Sequence, residues 1–215
     1  MAQISDKTRN SQDNHQQLPL TREIDFIPNE TFESTTEKDL RDVDVELYKD
    51  EEPITGTLNS ENFAASLLSA VRQSRLLTFD GEQLLFKRLN FLRFRANAIR
   101  LTLNPKRPAK KKALEIERLL DEAASVREEL TRANLRLVVS IAGKLSISHD
   151  EFDEFIAEGN GILLYAIDKF DYARGYRFST YVTHAVQRHL YRFIERRKKR
   201  ASREFAREPD LMVND

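Results

Sequence analysis

Val126 to Leu145 reads VREELTRANLRLVVSIAGKL. Its apolar residues Val126, Leu130, Ala133, Leu137, Ile141 and Leu145 recur every three or four positions, which lines one face of a 3.6-residue helix. A strand would need alternation, and there is none. Leu119 extends the stripe backward, so Ala113 to Leu145 is either one long helix or two abutting ones. Forward of it, Ser148 and Glu151 have the spacing of a capping box, in which a hydroxyl and a carboxylate satisfy the free amides of a first turn. Phe152, Phe155, Ile156, Leu163 and Ile167 then predict a helix running toward Phe170. Gly159 and Gly161 interrupt it. Each Gly costs about 1 kcal/mol in a helix interior, so the pair predicts close packing or a surface that another backbone must fit.

Asp171 to Arg177, DYARGYR, supplies a loop, and Ser179 can cap a last helix lined by Val182, Val186, His189, Leu190 and Phe193. That helix ends in Arg196, Arg197, Lys198, Lys199 and Arg200. Toward the N-terminus, Phe63, Leu67, Leu68 and Val71, then Leu76, Leu77, Leu84, Leu85 and Leu89, recur at helical spacings. Two helices are expected between Asn62 and Leu101, broken at Thr78 to Glu82, where Thr78 or Asp80 can cap. Asn104 to Lys112, NPKRPAKKK, is a Pro-interrupted basic linker. The expected fold is all-α: a compact helical bundle around a single sizeable core, preceded by a disordered arm. The expected divisions are a 1–62 arm, an upstream segment and linker at 63–112, a core domain at 113–205 and a tail at 206–215.

Composition agrees with that class. Six Gly and six Pro in 215 residues are few for a sheet protein, which needs more turn residues. No cysteine is present, which excludes disulfides, thiolate nucleophiles and Cys-based zinc sites. No apolar run reaches the roughly 20 residues that span a bilayer, and the start lacks a secretory signal, so a cytoplasmic location with no membrane partner is expected. The formal net charge is zero, but the signs are segregated. Met1 to Asn62 carries fifteen acidic and six basic residues; with 35 of each sign in the whole chain, the rest holds a surplus of nine positive charges. The arm is too polar and aperiodic to recover its folding entropy by burial, although Ile24, Phe26 and Ile27 form a cluster able to dock, and its acidity can screen the basic body.

The last helix and its approach put rings and cations together: Tyr172, Tyr176, Phe178, Tyr181, Arg188, Tyr191 and Arg192, then the terminal basic run. Cations release counterions from phosphates, and aromatic faces stack unpaired bases at about 1–3 kcal/mol each. The alternative is an aromatic core with a solvated basic helix end. Enzyme chemistry has little support. No phosphate-cradling Gly loop appears, and His149, His184 and His189 lack a recognised metal spacing, so neither cofactor, metal nor catalytic residue is expected. His189 reads as a partly buried core histidine and His184 as an exposed one.

Ala133 to Tyr181 resembles the most characteristic part of bacterial sigma factors of the primary type. ANLRLVVSIAGKL resembles that family's ANLRLV helix, FDEFIAEGNGILLYAIDKFD its acidic core-polymerase-binding helix, and DYARGYRFSTYVT its promoter-melting segment. LLTFDGEQLLFKRLNFLRFRA resembles the segment preceding the core domain, so the likeness covers roughly Leu76 to Arg200. It implies a domain of the sigma domain-2 type that binds core RNA polymerase and recognises and melts the promoter minus-ten element. The polymerase-binding residues it implies are Asn134, Glu154, Phe155, Glu158, Asn160 and Leu164, directed at the clamp helices of the largest subunit. For DNA, above all the non-template single strand, it implies Arg136, Tyr176, Phe178, Thr180, Tyr181, His184, Gln187, Arg188 and Arg192. It also admits an anti-sigma factor as partner.

Departures from the family pattern carry expectations too. The family's Trp pair is here His184 and Ala185, which removes stacking surface and predicts weaker melting. Gln187 and Arg188 reverse the usual order of Arg and Gln, which turns donors and acceptors about 100° and predicts an altered promoter preference. Ala157 replaces a Gln, and Gly161 with Ile162 inverts the usual order on the polymerase-binding helix. After Arg203 too few residues remain for the family's later helical domains. A fragment, a factor working on the minus-ten element alone, and a truncated sigma-like regulator that occupies polymerase without efficient promoter opening are the three expectations that follow.

Overall fold

Apolar residues spaced three and four apart bury one face of each long helix, and that face decides where the chain packs. In the computed structural model, which describes residues 23–41, 43–49, 71, 74–104 and 109–205, five α-helices form: α1 (Glu37–Arg41), α2 (Phe79–Leu101), α3 (Lys110–Leu145), α4 (His149–Lys169) and α5 (Phe178–Phe205). Of the two options for Ala113 to Leu145, one continuous helix is found. The architecture is all-α, and no strand occurs among the described residues. The single core expected from chain length is instead two compact units: Met1–Glu46 with Asp80–Leu130, and Leu47–Phe79 with Thr131–Asp215.

In the first unit, α2 buries Leu85, Phe86, Leu89, Phe91, Leu92 and Ala96, and the first part of α3 buries Ile116, Leu119, Ala123, Val126 and Leu130. An extended strap precedes α1. Phe26 meets the Phe94 ring edge-on at 5.7 Å, and Phe32 lies 5.8 Å from Phe91 and 5.5 Å from Phe94. The buried Asn90 accepts from the Ile27 N–H at 2.7 Å and donates to the Phe86 carbonyl at 2.9 Å, so a polar side chain in the core is satisfied by the strap. Arg41 and Arg88 both reach Glu122, at 2.7 and 2.8 Å, and Arg118 bonds Glu37 and Glu115. The 23–41 part of the expected arm is therefore docked on the first unit, by Ile27 and Phe26 and also by Phe32. A segment of irregular chain, one 3-10 turn (Glu30–Glu33) and the five-residue α1 is too short in each piece to show a helical period, so periodicity gave no sign of it. Residues 1–22, 42 and 50–62 of that arm, and the predicted helix from Phe63 to Ala70, lie outside the described residues.

The second unit holds the rest of α3, then α4 and α5. Leu76 and Leu77, expected in a helix, are extended: Leu77 pairs antiparallel with Tyr48, and the Lys49 and Thr78 amides donate to the Leu76 and Leu47 carbonyls at 2.8 and 3.0 Å. Lys110 to Lys112, expected in a linker, form the first turn of α3 instead. Gly159 and Gly161 part company. A Cβ on Gly159 would stand 2.6 Å from Val138 Cγ1 and 3.5 Å from Val186 Cγ1, whereas one on Gly161 would meet nothing within 4 Å. Close approach of α3 and α5 to α4 accounts for the first glycine only. Ser179 falls inside α5 rather than at its cap, because the helix begins at Phe178, whose ring is drawn into the core.

Candidate functional site

The second unit is organised by a hairpin of α4 and α5. At the start of α4, Ser148 is in extended backbone and its Oγ accepts from the Glu151 N–H at 3.2 Å. Glu151 returns a carboxylate oxygen to the Ile147 N–H at 3.0 Å, one residue earlier than a standard capping box. Asp150 and Glu151 also lie at the positive end of the helix dipole. From this start α4 turns Phe155, Ile156, Gly159, Leu163, Ala166 and Ile167 inward, and Glu154, Ala157, Gly161 and Tyr165 outward.

The link to α5 is set by Asp171, whose carboxylate accepts from the Ala173 N–H at 3.1 Å and from Arg174 Nε at 3.0 Å. Gly175 closes the turn at φ 71°, a left-handed conformation that needs glycine. Tyr176 follows and stands 69 % exposed. In α5, Phe178, Val182, Val186 and Leu190 are buried, while Thr180, Tyr181, His184, Arg188, Tyr191 and Arg192 are exposed. Tyr181 is 41 % exposed and rests on rings, 5.6 Å from Phe170 and 6.4 Å from Phe178. Phe170 and Phe178 themselves meet edge-on at 5.1 Å. The packing fixes one tyrosine with part of its ring facing out beside exposed cations.

The two helices run antiparallel, because early residues of α4 meet late residues of α5. Phe155 packs edge-on against Phe193 at 6.1 Å. Glu158 Oε2 lies 2.5 Å from His189 Nε2, which must carry a proton to bond an ionised carboxylate. Arg197 forks onto Glu151 and Glu154, each at 2.8 Å.

Among the expected polymerase-binding residues, the structure brings Glu154 and Glu158 to one helix face, with Leu164 and Asn160 half-buried on the same helix. The Asn160 Oδ1 is enclosed and accepts no hydrogen bond among the described residues. Phe155, 1 % exposed, turns its ring into the core. Asn134 is likewise buried, on α3. Among the expected DNA-binding residues, Tyr176, Thr180, Tyr181, His184, Arg188 and Arg192 share the exposed side of the loop and α5, Gln187 is half-buried there, and Arg136 is half-buried on α3. Phe178 is 0 % exposed, and its ring lies in the core 6.4 Å from that of Tyr181. Motif matching assigns a position without saying which face of the helix it lands on, so the burial of these three side chains was not foreseen. The pairings of His189 and Arg197 with α4, and the exposure of Tyr165, were not anticipated. The opposite charges that face each other when α4 and α5 fold back on one another were the available signal. No group of three or more His, Asp or Glu able to hold a metal occurs among the described residues, and none of the described helices is long and apolar enough to cross a membrane.

Comparison with known proteins falls on this same unit. Residues 130–200 match the family profile of sigma-70 region 2. The RNA polymerase sigma factor RpoD of Neisseria gonorrhoeae is 46% identical over 72 residues. That stretch is 34% of this chain and 11% of that protein, so the likeness extends over only a small share of the relative's length. Residues 130–200, from the last part of α3 into α5, are thus similar in sequence to sigma-70 region 2.

Proposed function

We propose that the chain is a sigma-type transcription initiation factor of the primary kind, which binds core RNA polymerase through α4 and recognises and melts the minus-ten element through α5. What supports this most is a coincidence. The stretch similar to sigma-70 region 2, residues 130–200, is also the stretch holding an outward carboxylate pair and an exposed row of rings and cations. Glu154 and Glu158, four residues apart, give a partner's Lys or Arg two acceptors on one face, and Leu164 adds an apolar contact. The intended surface is the clamp helices of the polymerase's largest subunit. Arg188 and Arg192 neutralise phosphates of the displaced strand, while Tyr176, Thr180 and Tyr181 receive a base that has left the stack. Unstacking costs a few kcal/mol, and about 1–3 kcal/mol of stacking per base offsets it without any nucleotide hydrolysis. The role is binding rather than catalysis, and it is carried out beside the polymerase in the cytoplasm.

A second reading has one specific observation in its favour. His184 and Ala185 stand where the family's Trp pair props the edge of the melted region, so the chain would occupy polymerase as a sigma-like regulator without opening promoters efficiently. Mixing the chain with core polymerase and a fluorescent forked promoter tests both. Glu158→Arg is expected to abolish polymerase binding, and Tyr181→Ala to leave it intact while weakening retention of the fork roughly tenfold. Polymerase binding with no preference for the fork over duplex DNA selects the second reading. Two variants that behave like the parent contradict both.

A further inference from the structure

Glu151 is the fixed point at the acidic end of α4. Its Oε2 accepts from the Ile147 amide at 3.0 Å and its Oε1 from Arg197 Nη2 at 2.8 Å, with only 17% of the side chain exposed. Both oxygens are engaged, so Glu151 is poorly suited to meeting a partner and well suited to anchoring Arg197. The same guanidinium turns Nη1 to Glu154 Oε2 at 2.8 Å. One turn further along α4, His189 Nε2 bonds Glu158 Oε2. In Glu154 and Glu158 alike, one oxygen is held and the other, Oε1, meets no protein partner among the described residues. Glu154 nonetheless stays 53% exposed.

Left alone, these carboxylates would repel each other along the helix and sample several rotamers, and both effects weaken a later charge pairing. The Arg197 guanidinium, supplied by α5, reduces the repulsion, and the bonds from Arg197 and His189 narrow the rotamers. A forked guanidinium fixes geometry better than an ammonium could. We propose that Arg197 and His189 are positioning residues for polymerase binding, holding Glu154 and Glu158 so that one oxygen of each is preset for the partner's cations. Part of the polymerase site thus resides on α5, the helix that otherwise faces DNA. This rests on the reading of α4 as the polymerase-binding helix.

The chain contains no cysteine, so one appended at the C-terminus takes a dye, and the labelled full chain is titrated with core RNA polymerase by fluorescence anisotropy. Arg197→Met is expected to weaken binding roughly three- to fivefold, and Arg197→Lys about twofold, because an ammonium cannot fork across two carboxylates. Glu154→Gln should weaken it as well, and the Glu154→Gln and Arg197→Met double variant should be no weaker than Glu154→Gln alone, since the guanidinium acts through that carboxylate. A merely structural arginine would give losses that multiply. Arg197 variants that bind as tightly as the parent, or more tightly, overturn the positioning role, as do multiplying losses. A parent chain that fails to bind polymerase contradicts the underlying reading itself.

Discussion

Phe178 and Tyr181 are separated by three residues of one helix, yet one ring is enclosed and the other emerges. The sequence marks both as aromatics in a promoter-melting segment, but it does not say that Phe178 lies on the line of Val182, Val186 and Leu190, which α5 turns inward. The two therefore fail differently when truncated. Phe178→Ala should cost about 3–5 kcal/mol of stability by leaving a cavity, visible as a lowered urea midpoint. Tyr181→Ala should leave the midpoint near the parent's and cost about 1–3 kcal/mol in affinity for single-stranded minus-ten DNA. Equal losses of stability would mean that Tyr181 serves the core. Asn134 and Phe155 follow the same pattern, since motif position was legible and side-chain direction was not.

The long helices were legible as elements because their apolar positions repeat at three and four over many turns, and the start of α4 because Ser148 and Glu151 carry a capping pattern. Other boundaries depend on tertiary packing. Lys110 to Lys112 place three cations at the positive end of the α3 dipole, an unfavourable start that local chemistry would not select. Burial of Ile116 and Leu119 just beyond draws the helix back over them. Leu76 and Leu77 looked helical because their spacing fits, but Leu77 pairs with Tyr48, a partner some thirty residues away that no local window contains.

The two glycines of α4 allow a paired test of close packing. Gly159→Ala gains helix propensity yet drives a methyl onto the stiff Val138, so it should destabilise the chain by about 1–3 kcal/mol. Gly161→Ala meets open space and should stabilise by up to about 1 kcal/mol. Thermal unfolding of the two variants should move the midpoint in opposite directions. A stabilised Gly159→Ala would show that α3 and α4 are not in close contact.

At the scale of the whole molecule, segregation of charge along the sequence was readable, but its use in the first unit was not. Burial raises the Glu122 carboxyl, but hydrogen bonds and charge from Arg88 and Arg41 outweigh that and hold it below the ordinary glutamate range. Glu115 is lowered by its hydrogen bond to Arg118, which is in turn held more firmly protonated. A carboxylate lowered on folding contributes stability above its unfolded value, near 4.5, and loses it as pH falls through the folded value. The urea midpoint of the first unit should therefore drop as pH is taken from about 6 to about 3, in part through loss of this network. Glu122→Gln should begin lower at about pH 6 and fall by less. A variant with the parent's pH dependence would show that the ion pairs of Glu122 with Arg41 and Arg88 do not contribute to it. Division into two units escaped the sequence because α3 runs unbroken from one to the other, and periodicity does not register where a helix changes partners.

The most direct test of the central claim is anisotropy of a labelled forked promoter, with unpaired non-template minus-ten bases, titrated with core RNA polymerase in the presence and absence of the chain. Saturable retention of the fork that requires the chain, exceeds that of the matched duplex and weakens with added salt is predicted. Identical titrations with and without the chain would contradict the account.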